Sequence, residues 1–155
     1  MEEAKRRIPQ ENKHVVATRI LLVDDFMQWR FAVRSILEAI PGFRIIGEAS
    51  NGLEAIEKAA SLRPDIVLLD IGMPILNGIE AARRIRRVSP QSKMIFLTQE
   101  QDSEVRAAAL AVGGTAYLLK STAVTELRPA IDAALQRGYQ PQVPNLLPFA
   151  SSYGG

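Results

Sequence analysis

The chain has 155 residues, 47% of them hydrophobic and 23% charged, which suits one domain with a buried core and short appendages. Its 19 Lys and Arg against 17 Asp and Glu leave a formal charge of +2, too even to point to non-specific nucleic-acid binding. Cysteine is absent, which excludes a disulfide framework, a thiolate zinc site and a cysteine nucleophile, and no apolar run approaches the ~18 residues of a membrane span.

Residues 1–18 are polar and irregular, with Pro9 interrupting any helix, and read as a mobile extension. The opening MEEAKRRIPQENKH lacks the apolar segment of a secretory signal, and with the missing cysteines this leads us to expect a cytoplasmic protein. His14 has no partner nearby in sequence. Ile20-Leu21-Leu22-Val23 is a continuous apolar run ending in Asp24-Asp25, the pattern of a strand buried on both faces. Phe26, Trp29, Val33, Ile36, Leu37 and Ile40 then recur at helical spacing until Pro41-Gly42, so they predict a helix with these side chains, Trp29 included, toward the core.

Residues 43–49 predict a second strand. Asn51-Gly-Leu-Glu54 reads as a capping box that opens a helix to about Leu62. The pattern repeats with strand Ile66-Val67-Leu68-Leu69 ending at Asp70, a second capping box at Asn77-Gly-Ile-Glu80, and a helix to about Val88. Met94-Ile95-Phe96-Leu97 is a fourth strand ending at Thr98. Asp102 caps an alanine-rich helix that closes at Gly113-Gly114, and residues 116–119 form a fifth strand ending at Lys120. A last helix runs to about Arg137, with Pro129 expected near its first turn, where a missing N–H costs little. After Gly138, a helix-capping glycine, PQVPNLLPFASSYGG predicts an extended tail. Its Leu146, Leu147, Phe149 and Tyr153 are more apolar than a linker needs. Five strand–helix units imply a parallel sheet with right-handed crossovers and helices on both faces. The pattern alone leaves the strand order open.

Ligands of open α/β sheets bind beyond the carboxyl ends of the strands. Asp24, Asp25, Asp70, Thr98 and Lys120 stand at those ends. Taken singly, an aspartate there caps a helix or braces a turn, and a lone lysine is a solvated charge. Their coincidence is what matters. If strands one and three are neighbours, three carboxylates converge, and two unit charges ~4 Å apart interact by roughly 4 kcal/mol at an effective dielectric of 20. Such a cluster calls for a cation, and oxygen ligands in a small pocket suit Mg²⁺.

ILLVDD, IVLLDIGMPILNGIE, IFLTQE and AYLLKS resemble the signature blocks of response-regulator receiver domains of two-component signalling. DDxxxxR at Asp24–Arg30, with LLKS, resembles the NarL/FixJ/LuxR-type branch. The resemblance implies a CheY-like (βα)5 fold, a doubly wound five-stranded parallel sheet in the order 2-1-3-4-5. It divides the chain into an extension (1–18), a receiver domain (19–138) and a Pro-rich tail without an output domain (139–155). It makes Asp70 the phosphoacceptor. Asp25 becomes a direct Mg²⁺ ligand, Asp24 a ligand through water, and the Gly72 carbonyl a further ligand. Thr98 and Lys120 become the partners of the phosphoryl oxygens, and Tyr117 the aromatic switch residue. The partners implied are a sensor histidine kinase and a downstream protein. The last helices supply a homodimer face by family analogy alone.

Three positions depart from the family pattern. Ser121 stands where many members have proline, Gln99 follows Thr98 where a small residue is common, and Gly72 offers no side chain to an attacking water, which leaves Glu100 to reach it. The expected function is a phosphorylation-activated switch that catalyses its own phosphotransfer and slow autodephosphorylation, with no DNA or membrane binding by this chain itself. Phosphorylation is expected to draw Thr98 inward and free space for Tyr117 to turn toward the core. The alternatives are a degenerate receiver acting as a phosphorylation-independent binding module, an FMN-binding flavodoxin-like protein and a small-molecule phosphohydrolase. Two carboxylates after strand one repel an FMN phosphate, and the chain has no spare length for a hydrolase cap.

Overall fold

The computed structural model describes residues 16–136. The predicted extension up to residue 15 with His14, and the tail with Gly138, Leu146, Leu147, Phe149 and Tyr153, lie outside them. Five strands, β1 (Thr18–Val23), β2 (Phe43–Ala49), β3 (Ile66–Leu69), β4 (Lys93–Thr98) and β5 (Gly114–Leu119), alternate with five helices. The helices are α1 (Met27–Glu38), α2 (Gly52–Leu62), α3 (Gly78–Val88), α4 (Ser103–Ala111) and α5 (Ala123–Leu135). A single 3-10 turn, Lys120–Thr122, leads into α5. All four strand pairings are parallel and the order is β2-β1-β3-β4-β5, as the resemblance implied.

Alternation along the strands splits the core into two layers. Ile20, Leu22, Ile66, Leu68, Ile95 and Leu97 face α1 and α5, where Val33, Leu37, Leu127 and Ile131 meet them. Leu21, Val23, Val67, Leu69, Met94 and Phe96 face the other way, against alanines of α2, α3 and α4. The small side chains Ala55, Ala59, Ala81 and Ala82 are fully buried and let those helices lie close to the sheet. Among the described residues no helix is long and apolar enough to cross a membrane.

The helix starts follow the capping residues, with one variation. Asn51 Oδ1 accepts from Glu54 N–H at 2.9 Å, while the Glu54 carboxylate reaches back to Ser50 N–H at 2.7 Å. At α3, Asn77 Oδ1 accepts from Glu80 N–H, but Arg83 and Arg84 take the Glu80 carboxylate, so the reciprocal half is missing. Asp102 caps α4 through Glu104 N–H and Val105 N–H.

Other expectations need correction. Phe26 is not in the buried stripe of α1: it is the N-cap residue and 55% exposed. Ile36 and Ile40 are half-buried. Gly113, with φ of 107°, makes the turn after α4, but Gly114 already belongs to β5, two residues earlier than predicted. A helical stop signal and a strand start overlap there. The last helix ends at Leu135, and Pro129 sits in its interior as the seventh residue. Leu127 and Ile131, fully buried on either side, hold the helix to the sheet. Thr125, whose carbonyl loses the Pro129 donor, is exposed, so solvent can supply the missing hydrogen bond.

Candidate functional site: the acidic pocket at the strand ends

The sheet ladder carries the acidic residues into place. Asp24 N–H donates to the Ala49 carbonyl at 3.0 Å, and Asp70 N–H donates to the Val23 carbonyl at 3.0 Å. Each aspartate therefore continues its strand by one residue, and because β1 and β3 are neighbours the two side chains arrive together. After Asp70 the chain turns sharply and is closed by Gly78 N–H donating to the Ile71 carbonyl at 2.8 Å. Gly78 is required there: a Cβ would stand 1.9 Å from the Asp70 carbonyl oxygen. In the same loop Ile75 holds a φ of 73° while 71% exposed, a strained conformation for a β-branched residue.

Asp24, Asp25 and Asp70 each offer a carboxylate oxygen within 4.8 Å of the others. Asp24 is buried at 2% exposure, Asp70 nearly so at 7%, and Asp25 faces solvent. Lys120 Nζ lies 2.6 Å from Asp24 Oδ2 and 3.3 Å from Asp70 Oδ2. Burial pushes the Asp24 carboxyl above its ordinary value. Lys120 and the Phe26 N–H, which donates to Asp24 Oδ1 at 2.9 Å, oppose that rise, and the neighbouring Asp70 charge adds to it. The Asp70 Oδ1 atom accepts from Ile71 N–H at 2.7 Å. So Asp24 and Asp70 do brace local turns, as single aspartates at strand ends commonly do, while also sharing one ammonium.

Thr98 is buried, and its Oγ1 accepts from Glu100 N–H at 3.2 Å. Gly72 is exposed, with open space where a Cβ would be. Gln99 and Ser121 line a cleft of about 290 Å³ with Trp29, Gln101, Leu119 and Lys120. Tyr117 is already in the core, at 8% exposure, with its hydroxyl donating to the Glu100 carbonyl at 2.7 Å. Burial, then the Glu100 charge, push its phenol above the usual value, which keeps it a donor. Tyr117 thus points inward in the structure described, which holds no phosphoryl group, whereas the expectation tied that orientation to phosphorylation. Glu100 meets it through the backbone, and its side chain is exposed.

Two features escaped the sequence reading. Trp29 is half-buried rather than in the core, and its ring centroid lies 5.2 Å from Lys120 Nζ. Glu48 on β2 accepts from Arg30 Nε at 2.8 Å and from both Nε and Nη2 of Arg34. Arg30 Nη1 also donates to the Asp24 carbonyl at 2.6 Å. The arginine of DDxxxxR therefore ties the start of α1 to the acidic pocket. Desolvation is the largest single influence on the Glu48 carboxyl and raises it, but Arg34 and Arg30 together outweigh it and hold the group below its usual value. With the folded-state value depressed, this stabilisation is present above the unfolded-state value and is lost as pH falls through the folded one. Glu48→Gln is therefore expected to cost about 1 kcal/mol at neutral pH, a difference that shrinks below about pH 4. Urea unfolding of both proteins across that range measures it.

The carboxylates fit a hard divalent cation. The donors are oxygen only, with no imidazole or thiolate, and around Mg²⁺ neighbouring octahedral ligands lie about 3 Å apart and opposite ones about 4.2 Å, so rotations of these side chains, whose oxygens stand within 4.8 Å of one another, bring them into range.

Comparison with known proteins agrees with this geometry. Residues 20–132 match the family described as the response regulator receiver domain. The transcriptional regulatory protein LiaR of Bacillus subtilis is 39% identical over 116 residues, covering 75% of this chain and 55% of LiaR. The nitrate/nitrite response regulator protein NarL of Escherichia coli is 36% identical over 115 residues, covering 74% of this chain and 53% of NarL. The chain thus spans about half the length of these relatives. Among solved structures, a LuxR-family two-component response regulator from Aurantimonas superposes with a TM-score of 0.75 at 32% identity, covering 90% of this chain and 99% of that one. The response regulator domain of Thermotoga maritima CheB superposes with a TM-score of 0.73 at 31% identity, over 81% of this chain and 99% of that one. With the sheet order, the strand-end carboxylates and these matches in agreement, the chain belongs to the response regulator receiver domain family of two-component systems.

Proposed function

We propose that this receiver domain is a switch thrown by transfer of a phosphoryl group to Asp70. The observation that carries the reading is Asp70 itself. Its side chain is 10% exposed at the end of β3, beside Asp24 and Asp25, with Lys120 Nζ at 3.3 Å. An Asp70 carboxylate oxygen attacks the phosphorus of a phosphohistidine on a sensor kinase. The P–N bond breaks, the imidazole leaves with the electron pair, and an acyl phosphate forms. The transition state spreads charge over three equatorial oxygens, so the protein acts mainly by positioning and neutralising. Lys120 supplies fixed positive charge there. Asp24, Asp25 and Asp70 would hold Mg²⁺, with the Gly72 carbonyl as the further ligand implied by resemblance. When bound, that ion screens the carboxylates from each other and from the incoming phosphoryl oxygens.

The route outward runs through Thr98. Its oxygen accepts from Glu100 N–H, leaving its own proton for a phosphoryl oxygen, and the Glu100 carbonyl accepts from Tyr117. A shift at Thr98 therefore reaches Tyr117 and the surface of α4, β5 and α5, the face read here as meeting a downstream protein or a second copy. A phosphate that favours one of two conformers separated by a few kcal/mol is sufficient. The same reading keeps residues 19–138 as the receiver unit and places it in the cytoplasm with its kinase. A phosphorylation-independent module has less support, because the acidic residues and Lys120 stand together. The test is acetyl phosphate treatment followed by intact-mass measurement. One added phosphoryl group is expected with Mg²⁺ present and none after chelation. Labelling indifferent to chelation would count against the proposed pocket.

A further inference from the structure

We infer that Trp29 is a positioning residue for Lys120, its indole face holding the ammonium over Asp70. The inference rests on the reading of Asp70 as phosphoacceptor. Lys120 Nζ lies 5.2 Å from the Trp29 ring centroid, within the ~6 Å range over which a cation is attracted to an aromatic face. The Lys120 side chain is 10% exposed, so water competes weakly for the charge. The helix turn that carries Trp29 is held: the Trp29 backbone N–H donates to the Phe26 carbonyl at 3.1 Å, and Arg30, the next residue, is anchored on Glu48 and on the Asp24 carbonyl. The indole also packs against the apolar layer under α1 and α5.

A lysine has a flexible four-carbon stem and many ways to leave a site. Here the cleft lined by Trp29, Gln99, Gln101, Leu119, Lys120 and Ser121 opens such a way. The carboxylates of Asp24 and Asp70 hold Lys120 in the structure described, yet Asp24 belongs to the set that would hold a divalent cation. The indole is a partner of Lys120 that a cation does not draw away. It therefore keeps the ammonium within reach of Asp70 when Asp24 is otherwise engaged.

Because Trp29 is the chain's sole tryptophan, its emission reports on this contact directly. Emission spectra of the full chain and of Lys120→Ala are expected to differ in intensity; superimposable spectra would overturn the contact. In parallel, acetyl phosphate labelling rates are compared for wild type, Trp29→Leu and Trp29→Phe in Mg²⁺, with thermal melts as the folding control. Trp29→Leu is expected to label about three- to tenfold more slowly. Trp29→Phe, which keeps an aromatic face, should stay within about twofold of wild type. Mg²⁺ binding by calorimetry is expected to be the same in all three, since the carboxylates are untouched. Equal rates for the leucine and phenylalanine variants would overturn the positioning role, because packing alone does not distinguish a π-face. Should wild type take no label, the reading of Asp70 fails, while the emission comparison still decides whether indole and ammonium meet.

Discussion

Asp70→Asn is expected to abolish phosphoryl transfer from acetyl phosphate while leaving the fold intact. The amide is nearly isosteric, and its oxygen can still accept from Ile71 N–H, the bond that shapes the start of the β3–α3 loop. What disappears is the anionic oxygen that attacks phosphorus. Stability is expected to rise. Asp70 repels two carboxylates, Asp24 and Asp25, whose oxygens lie within 4.8 Å, and attracts one ammonium, Lys120, at 3.3 Å. Removing its charge thus relieves about one net like-charge pair, worth about 1 kcal/mol or more in a partly buried site. Intact-mass measurement after acetyl phosphate treatment and urea unfolding check both halves. Full labelling of the variant would remove Asp70 from its assigned role.

Lys120→Ala is expected to do the opposite to stability and nearly as much to chemistry. Among the described residues, Lys120 supplies the one cationic side chain paired with the Asp24 and Asp70 carboxylates. Without it Asp24, at 2% exposure, keeps only the Phe26 N–H against its desolvation. Breaking a buried pair from one side costs about 3 kcal/mol or more, and protonation of Asp24, already the easier for burial, caps the loss. The labelling rate is expected to fall about a hundredfold, the scale for removing one electrostatic partner of a transition state. Added Mg²⁺ should restore part of the stability by mass action, because it binds only the folded cluster. Thermal melts with and without the ion, beside labelling rates, measure these effects.

The elements that determine the fold class are those whose side chains all obey one local rule. The runs 20–23, 66–69 and 94–97 are apolar throughout because both faces of a central parallel strand are covered. The residue following each run in β1 and β3, or closing β4, is polar because it emerges at the ligand edge. Asp24, Asp25, Asp70, Thr98 and Lys120 were legible for that reason. Where two local rules compete, sequence pattern misleads. The backbone preference of Pro129 favours a helix start, yet burial of Leu127 and Ile131 carries α5 through it. Gly113-Gly114 has the form of a helix stop, yet Gly114 pairs with Met94 across the sheet.

Tertiary partners left no local trace. Trp29 fits an apolar stripe by spacing, and only the fold brings Lys120, in the 3-10 turn after β5, over its ring. The pairing of Arg30 and Arg34 with Glu48 joins α1 to β2 across 18 and 14 residues, a relation that periodicity does not encode. Tyr117 was recognisable as a position, but its buried pose depends on the Glu100 carbonyl, a backbone atom of the loop after β4. Sequence spacing thus identified the residues that carry charge to the strand ends. The residues that hold those charges still became visible only in three dimensions.

Borohydride trapping tests the central claim most directly. An acyl phosphate on an aspartate is reduced to the alcohol, converting that residue to homoserine, and peptide mapping locates it. After acetyl phosphate and Mg²⁺ treatment, homoserine is expected at position 70 and nowhere else. Homoserine at Asp24 or Asp25, or an unreduced chain that carries label elsewhere, would contradict the account.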